Sequence, residues 1–157
     1  MTRNVKVIEP MRLTVMSDYA LRVLMYVGTA PDRLVTVEEI ARAYGISDNH
    51  LMKVVQELVR GGFVETLRGR AGGVRLAKPA ADISVADVVR AVEEDFGLVE
   101  CFRAGDMCRI TPVCRLRGAL GDALQAFFDV LDRWTLADLI VRPKALLASL
   151  QATQART

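Results

Sequence analysis

The sequence has little of what a membrane protein or a hydrolytic enzyme needs. No stretch of about 18 residues in its 157 is apolar throughout, whereas a helix needs about 20 to cross a bilayer. Residues 1–10 also lack the longer apolar core of a signal peptide. The chain has a single histidine and no nucleophile that we can pair with a base, so we do not expect an enzyme. We expect a soluble cytoplasmic protein.

Charge of one sign is also scarce. The chain has 21 Lys and Arg against 19 Asp and Glu, a formal net charge of +2, which does not by itself indicate a nucleic-acid partner. The distribution is uneven, because residues 47–79 carry six basic and three acidic residues, and residues 82–100 carry six acidic residues and one Arg. The pattern along the chain is therefore more informative than the sum.

The apolar spacing predicts a mainly α protein with a small β-hairpin. Helices are predicted over 14–27, 37–44 and 47–60, with Thr36 and Glu39 as a capping box and Gly45 as the break before a Ser47 cap. The segment 63–79 is typical of two short strands joined by a glycine-rich turn. After an extension at 1–10, this order predicts a winged helix-turn-helix domain over residues 11–79.

The second half of the chain predicts a linking helix, a loop and a long helix. Ser84 and Asp87 cap the linking helix, and we assign 80–115 to this helix and the cysteine loop. From residue 116 the apolar residues follow steps of four and three, a near-heptad seam. The seam consists of Leu116, Leu120, Ala123, Phe127, Val130 and Trp134, and a second row of Leu124, Phe128 and Leu131. A stripe this wide predicts a symmetric partner, so residues 116–157 are assigned to a dimerisation helix and a C-terminal tail.

The start of the helix at 47–60 carries side chains suited to reading DNA bases. Asn can bond an adenine edge, Lys reaches guanine or phosphate, and a recognition helix enters the major groove by its N-terminal residues. The candidate residues are Asp48, Asn49, His50 and Lys53. The alternative is an ordinary solvated helix end, in which Asp48 interacts with the helix dipole.

The hairpin that follows is cationic around its turn. Contact with phosphates or the minor groove is the functional interpretation, and a charged edge hairpin that resists aggregation is the alternative. The residues concerned are Arg68, Arg70, Arg75 and Lys78, which flank Gly69, Gly72 and Gly73. The position directly after a helix-turn-helix favours DNA contact.

Three cysteines, Cys101, Cys108 and Cys114, lie within residues 101–114. An odd, clustered set without a secretion signal argues against a disulfide framework. Gaps of six and five residues are wider than in a zinc knuckle and suit a loop around a cofactor larger than one ion. Thiolates favour iron–sulfur clusters, zinc or copper(I), so a zinc site and redox-sensing free thiols remain alternatives.

Several segments together resemble a known family. MRLTVMSDYALRVLMYV, SDNHLMKVVQELVRGGFVETLRGRAGGVRLAKP, and CRITPVCRL followed by WTLADL are similar to the iron–sulfur winged-helix repressors, particularly the nitric-oxide-sensing ones. The resemblance covers about residues 11–145. It implies a homodimeric repressor of a palindromic DNA operator, with nitric oxide as its signal. It also implies one cluster per subunit, expected to be 4Fe-4S, on Cys101, Cys108 and Cys114.

The resemblance also suggests a fourth ligand. In this family it can be a carboxylate near the start of the first helix of the other subunit, a position that Asp18 occupies; an ion pair with Arg22 is the alternative role.

Other functions stay open beside this one. The assembly-regulating branch has a histidine after its third cysteine, where this chain has Arg115 and Arg117, so that branch is disfavoured. Iron- or redox-responsive regulators of the same family remain an alternative. A thiol-redox or electron-transfer protein that uses its winged helix for protein contacts is the alternative from another class.

Overall fold

The computed structural model describes residues 12–103, 105 and 108–154, so the predicted extension at 1–10 lies outside the described residues. The described chain is mainly α with one antiparallel hairpin, as predicted. Its elements are α1 (Val15–Gly28), α2 (Val37–Tyr44), α3 (Asp48–Arg60), β1 (Val64–Leu67), β2 (Gly73–Leu76), α4 (Val85–Val92), α5 (Arg115–Leu131), α6 (Leu136–Leu139) and α7 (Pro143–Gln154). None of these described helices is long and apolar enough to cross a bilayer.

Short polar side chains start the first four helices, and the caps Thr36, Ser47 and Ser84 were predicted from the sequence. The predicted capping box at α2 is only half formed, because the Glu39 carboxylate bonds Tyr26 and Arg33 rather than the Thr36 N–H. The hydroxyls of Thr36, Ser47 and Ser84 each accept a hydrogen bond from the backbone N–H three residues on. Thr14 does the same for α1. Because each cap satisfies an N–H that has no partner within its helix, the caps fix where the helices begin.

The turn between α2 and α3 depends on Gly45. Its φ of 64° lies in the left-handed region, and its N–H donates to the Ala41 carbonyl at the end of α2. A side chain at this position would be strained. The turn lets the apolar face of α3 reach the core, where Leu51, Val54 and Leu58 are buried.

The core of the winged domain lies among α1, α2, α3 and the hairpin. Its largest fully buried side chains include Leu24, Ile40, Leu51 and Leu58. Val35 pairs with Val74 through two backbone hydrogen bonds and so attaches the hairpin to the segment before α2. The apolar contacts therefore hold α3 and the hairpin in a fixed relation.

Helix α5 packs on α4 through one face. Phe128 is buried against Ala86 and Val89, and Arg90 bridges the two helices by a bidentate ion pair with Asp132 at 2.8 Å. The helix ends at Leu131, so the prediction that the seam continues along one helix to Trp134 was wrong by one turn. The cause is a long-range contact: the Trp134 carbonyl accepts the Val85 N–H, and Ser84 bridges Thr135.

The segment assigned to a C-terminal tail folds into α6 and α7. Thr135 and Asp138 form a complete capping box at α6, and Leu136 is buried in the main core. Leu147 and Leu150 of α7 also pack against that core. The end of the described chain therefore contributes to the winged domain.

Glu39 links α2 to the end of α1. Its carboxylate accepts hydrogen bonds from the Tyr26 hydroxyl at 3.0 Å and from Arg33. The Arg33 hydrogen bond holds the pKa of the Glu39 carboxyl below its usual range, with partial burial opposing the shift. Burial, reinforced by Glu39, raises the pKa of Tyr26.

This network makes the stability of the winged domain sensitive to acid. A carboxyl whose pKa is lowered on folding stabilises the protein above its unfolded pKa, near 4.5, and this contribution is lost as the pH falls through the folded value. We expect thermal melts from pH 6 to 3 to show a shallower loss of stability for Glu39→Gln than for wild type. Glu38→Gln, which removes the exposed partner of Arg42, is the control. Parallel curves for wild type and Glu39→Gln would contradict this expectation.

Candidate DNA-binding face and cysteine segment

The outer face of α3 presents the residues predicted to read DNA. Asp48, Asn49, His50 and Lys53 are all exposed. With the apolar face turned inward, helical spacing places Asn49, Lys53 and Gln56 at the centre of the outer face, and Asp48 and His50 at its margins.

Two further exposed residues of α3 belong to this face and were not predicted. Met52 and Gln56 follow Asn49 at helical spacing, and both side chains are exposed. The helical spacing of the apolar residues, which identified the buried face of α3, would also have identified Met52 and Gln56, because the remaining residues form the outer face. Gln can bond an adenine edge in the same way as Asn, and Met offers an apolar contact.

Two of the four cations lie at the turn of the hairpin, and the other two contact neighbouring side chains. Arg68 and Arg70 are exposed, and among the described residues neither has an ion pair. Arg75 faces Glu65 across the two strands, and its guanidinium bonds that carboxylate. The Lys78 ammonium lies 5.1 Å from the centre of the Phe63 ring. Arg68 and Arg70 at the turn are therefore the two of these four cations that have no ion pair or ring contact among the described residues.

The three cysteines between α4 and α5 are half-buried thiols. Cys101 lies in a short 3-10 turn, Glu100–Phe102, and Cys114 precedes α5 at its N-cap. Within the described residues, no three His, Cys, Asp or Glu side chains lie close enough to hold a metal ion. Among the described residues, the three sulfurs are therefore not gathered with one another as a metal site requires.

An open groove of about 640 Å³ lies beside the start of α5. Cys114 lines it together with Phe96, Phe102, Gly118, Gly121 and Arg117. The thiol of Cys114 makes no capping hydrogen bond, and a helix N-terminus favours anionic ligands. The groove therefore offers space and a favourable dipole next to one of the three thiols.

Asp18 lies in the first turn of α1 and forms the ion pair with Arg22 that was the alternative to its predicted role as a ligand. Its two oxygens each lie 2.9 Å from a nitrogen of Arg22, and its side chain is 49% exposed. The Arg22 guanidinium also lies 5.8 Å from the ring centres of Tyr19 and Tyr44. The Tyr19 ring in turn lies 6.3 Å from that of His50 in α3. Three successive contacts, through Arg22 and Tyr19, thus connect the candidate ligand to His50 at the margin of the outer face of α3.

The family model described as "Rrf2: Iron-dependent Transcriptional regulator" matches residues 13–142. The chain belongs to the Rrf2 family. This Rrf2 protein is 52% identical to the HTH-type transcriptional regulator NsrR of Geobacillus kaustophilus (strain HTA426), over 89% of this chain and 96% of that relative. It is 46% identical to the NsrR of Bacillus subtilis (strain 168), over 90% and 98% of the two chains. The resemblance inferred from the sequence is confirmed, and the chain is a transcriptional regulator.

Solved structures confirm the winged-helix fold of this Rrf2 protein. CymR, the global cysteine regulator of B. subtilis, matches with a TM-score of 0.65 and 23% identity over 83% of this chain and 97% of that chain. IscR of T. potens matches with a TM-score of 0.67 and 23% identity over 83% and 87%. At these identities the likeness concerns the fold.

Proposed function

We propose that this protein is a homodimeric repressor that binds a palindromic operator and releases it in response to nitric oxide. The observation that carries the proposal is the segment Cys101–Cys108–Cys114 leading into α5, in a chain 46–52% identical to NsrR regulators. The DNA-facing residues, the donor set and the dimer face each support one part of it.

DNA binding is supported by the geometry of α3 and the wing. Asn49, Lys53 and Gln56 point outward along one face, and the turn with Arg68 and Arg70 follows β1. A helix in the major groove reads base edges, while cations on a neighbouring turn neutralise phosphates. The two elements would thus divide specificity and affinity between them.

The cysteine segment fits an iron–sulfur cluster by the chemistry of its donors. Cys101, Cys108 and Cys114 would supply three thiolates, the ligands that such clusters prefer. When bound, the cluster supplies iron that nitric oxide attacks. Asp18 of the partner subunit is the proposed fourth ligand, in line with its exposure at the start of α1.

Arg22 gives the Asp18 carboxylate an alternative partner in its own chain. A carboxylate is a weaker ligand for iron than a thiolate, so it is the ligand most readily displaced. Once free, it would return to the bidentate pair with Arg22, a residue packed near Tyr19 and hence near His50 of α3. An affinity loss of tenfold to a hundredfold needs about 1.4 to 2.7 kcal/mol of coupling, which is within the usual allosteric range.

The exposed side of α5 supports dimerisation. Leu116, Phe127 and Val130 are large apolar side chains on that side, and all three are exposed. Apolar surface grouped in this way on a helix marks an interaction site, and a second copy of the chain can cover it symmetrically.

Substitutions on the wing and on α3 should affect DNA binding differently. Arg70→Ala should weaken operator and random DNA about equally and reduce the slope of log affinity against log salt by about 1. Asn49→Ala or His50→Ala should mainly lower the ratio of operator affinity to random-DNA affinity. For a residue that reads a base, the difference between the two binding free energies should shrink by roughly 1–3 kcal/mol. Fluorescence anisotropy over a salt series separates the two effects.

Arg133→Ala, an exposed cation just after α5, is the control and should change neither quantity. If both α3 variants keep the wild-type ratio of operator to random-DNA affinity, Asn49 and His50 do not read bases. DNA binding with no salt dependence would instead favour a redox protein that uses its winged helix for protein contacts.

Iron-responsive regulation is the second candidate, because the matching family model is described as iron-dependent. Anaerobic protein bound to operator DNA can be titrated in parallel with nitric oxide and with an iron chelator. Release by nitric oxide at concentrations near that of the protein supports the first proposal. Release by the chelator alone supports the second.

A further inference from the structure

Helix α1 begins with a capping arrangement that a distant residue completes. The Thr14 hydroxyl accepts the Ser17 N–H at 3.4 Å. In a capping box a Glu at the position of Ser17 would accept the Thr14 N–H in return. Here the Glu93 carboxylate does so from 79 residues away, accepting the Thr14 N–H at 3.2 Å and the Thr14 hydroxyl at 3.1 Å.

The same carboxylate reaches a buried hydroxyl. Ser17 is a fully buried polar residue in the core of the described chain, and its hydroxyl donates to Glu93. Hydrogen bonds to a charged acceptor are stronger than neutral ones, and a buried hydroxyl without a partner is costly. Glu93 is therefore bound at three points to the first turn of α1.

The two sides of this contact are connected along the chain to proposed cluster ligands. Asp18 directly follows Ser17 in α1. Glu93 is the C-cap of α4 and the first residue of the segment that leads to Cys101. A change in the direction of this segment would thus be transmitted through Glu93 to the turn that carries Asp18.

We propose that Glu93 is a positioning residue that holds the first turn of α1, and with it Asp18, in the orientation needed for ligation. This role rests on the proposed function, because it requires that Asp18 binds the partner's cluster. Glu93 itself binds Thr14 and Ser17 rather than iron. In a dimer it would link the cysteine segment of one subunit to the ligand that this subunit gives to its partner.

The contact itself can be tested in the full-length, metal-free protein. Glu93→Ala should speed amide hydrogen exchange at Thr14, Ser17 and Asp18 by roughly 5- to 30-fold, the factor expected when a helix cap is lost. Glu94→Ala is the matched control, because Glu94 is exposed, adjacent and of the same charge. Unchanged exchange at these amides in Glu93→Ala would overturn the capping contact.

The positioning role is tested by a property of the bound cluster, which would not change if Glu93 only stabilised the start of α1. In anaerobic, cluster-loaded protein the visible circular dichroism of Glu93→Ala should shift towards that of Asp18→Ala, and the double variant should shift no further. Glu93→Gln keeps an oxygen acceptor for the Thr14 N–H and should lie closer to wild type. Glu94→Ala should match wild type.

The outcomes separate this role from the proposed function. A wild-type spectrum for Glu93→Ala, when Asp18→Ala is clearly shifted, overturns the positioning role alone. A wild-type spectrum for Asp18→Ala, or wild-type protein without a cluster, overturns the ligand assignment in the proposed function and the role of Glu93 with it. Additive shifts in the double variant would show that Glu93 does not act through Asp18.

Discussion

Replacing any one of Cys101, Cys108 or Cys114 by alanine is expected to remove the iron from anaerobically isolated protein while leaving it folded. The three thiols lie between α4 and α5 in the sequence, and none of them belongs to the buried core. Their loss should therefore cost the fold little. A cluster with four corners cannot be held stably by two thiolates and a carboxylate, so each single substitution should abolish it.

Iron and sulfide analysis together with far-ultraviolet circular dichroism decides this result. Wild type should be brown and contain iron, and each variant should be colourless with an unchanged helical spectrum. Val113→Ala is the matched control, because Val113 lies beside Cys114 and is 80% exposed. Stoichiometric zinc and no iron in wild type would contradict the cluster and support the zinc alternative.

The arrangement of the three cysteine sulfurs could not be predicted from the sequence. The spacing identifies three thiols near one another in the chain, but the distances among their sulfurs depend on how the segment folds around its ligand. The described residues contain no metal-holding group, although Cys114 lines a groove at the start of α5. The ligand set is therefore a chemical inference, while the places of Cys101 and Cys114 in the fold are structural observations.

Local signals predicted the winged domain well. The helix predicted over 37–44 is α2 (Val37–Tyr44), because a Thr cap and a left-handed glycine determine its two ends within the local sequence. The contacts that were missed are long-range ones. Register decides that Arg75 meets Glu65, and tertiary packing decides that Glu93 reaches Thr14. No local pattern contains either pairing.

Helix α5 has one feature that the local sequence predicted and one that a long-range contact determines. Its apolar period predicted a helix with an unusually wide stripe, and the structure uses one row, with Phe128 at its centre, to pack on α4. The end of the helix was predicted a turn too late, since the period continues through Trp134 while the backbone there bonds Val85. Most of the remaining row stays exposed in the single chain, with Leu120 half-buried, and the dimer proposal depends on this row.

Phe127→Glu is expected to convert the protein from dimer to monomer at micromolar concentration. Phe127 is 40% exposed and lies between the exposed Leu116 and Val130 on the side of α5 that does not pack on α4. Covering a Phe side chain contributes about 1.5–3 kcal/mol, and a twofold axis places two such residues in the interface. The dimer should therefore lose about 3–6 kcal/mol, which raises its dissociation constant more than a hundredfold.

Sedimentation equilibrium of the metal-free protein measures this effect without relying on the cluster. Gln125→Glu introduces the same charge on the polar side of α5, where Gln125 bonds the exposed Asp129, and should leave the dimer intact. The Phe127→Glu monomer should remain helical, because Phe128 and the α4 contact are retained. It should bind a single half-site weakly, since the gain from two linked recognition helices is lost. A Phe127→Glu protein that stays dimeric would place the interface elsewhere on the chain.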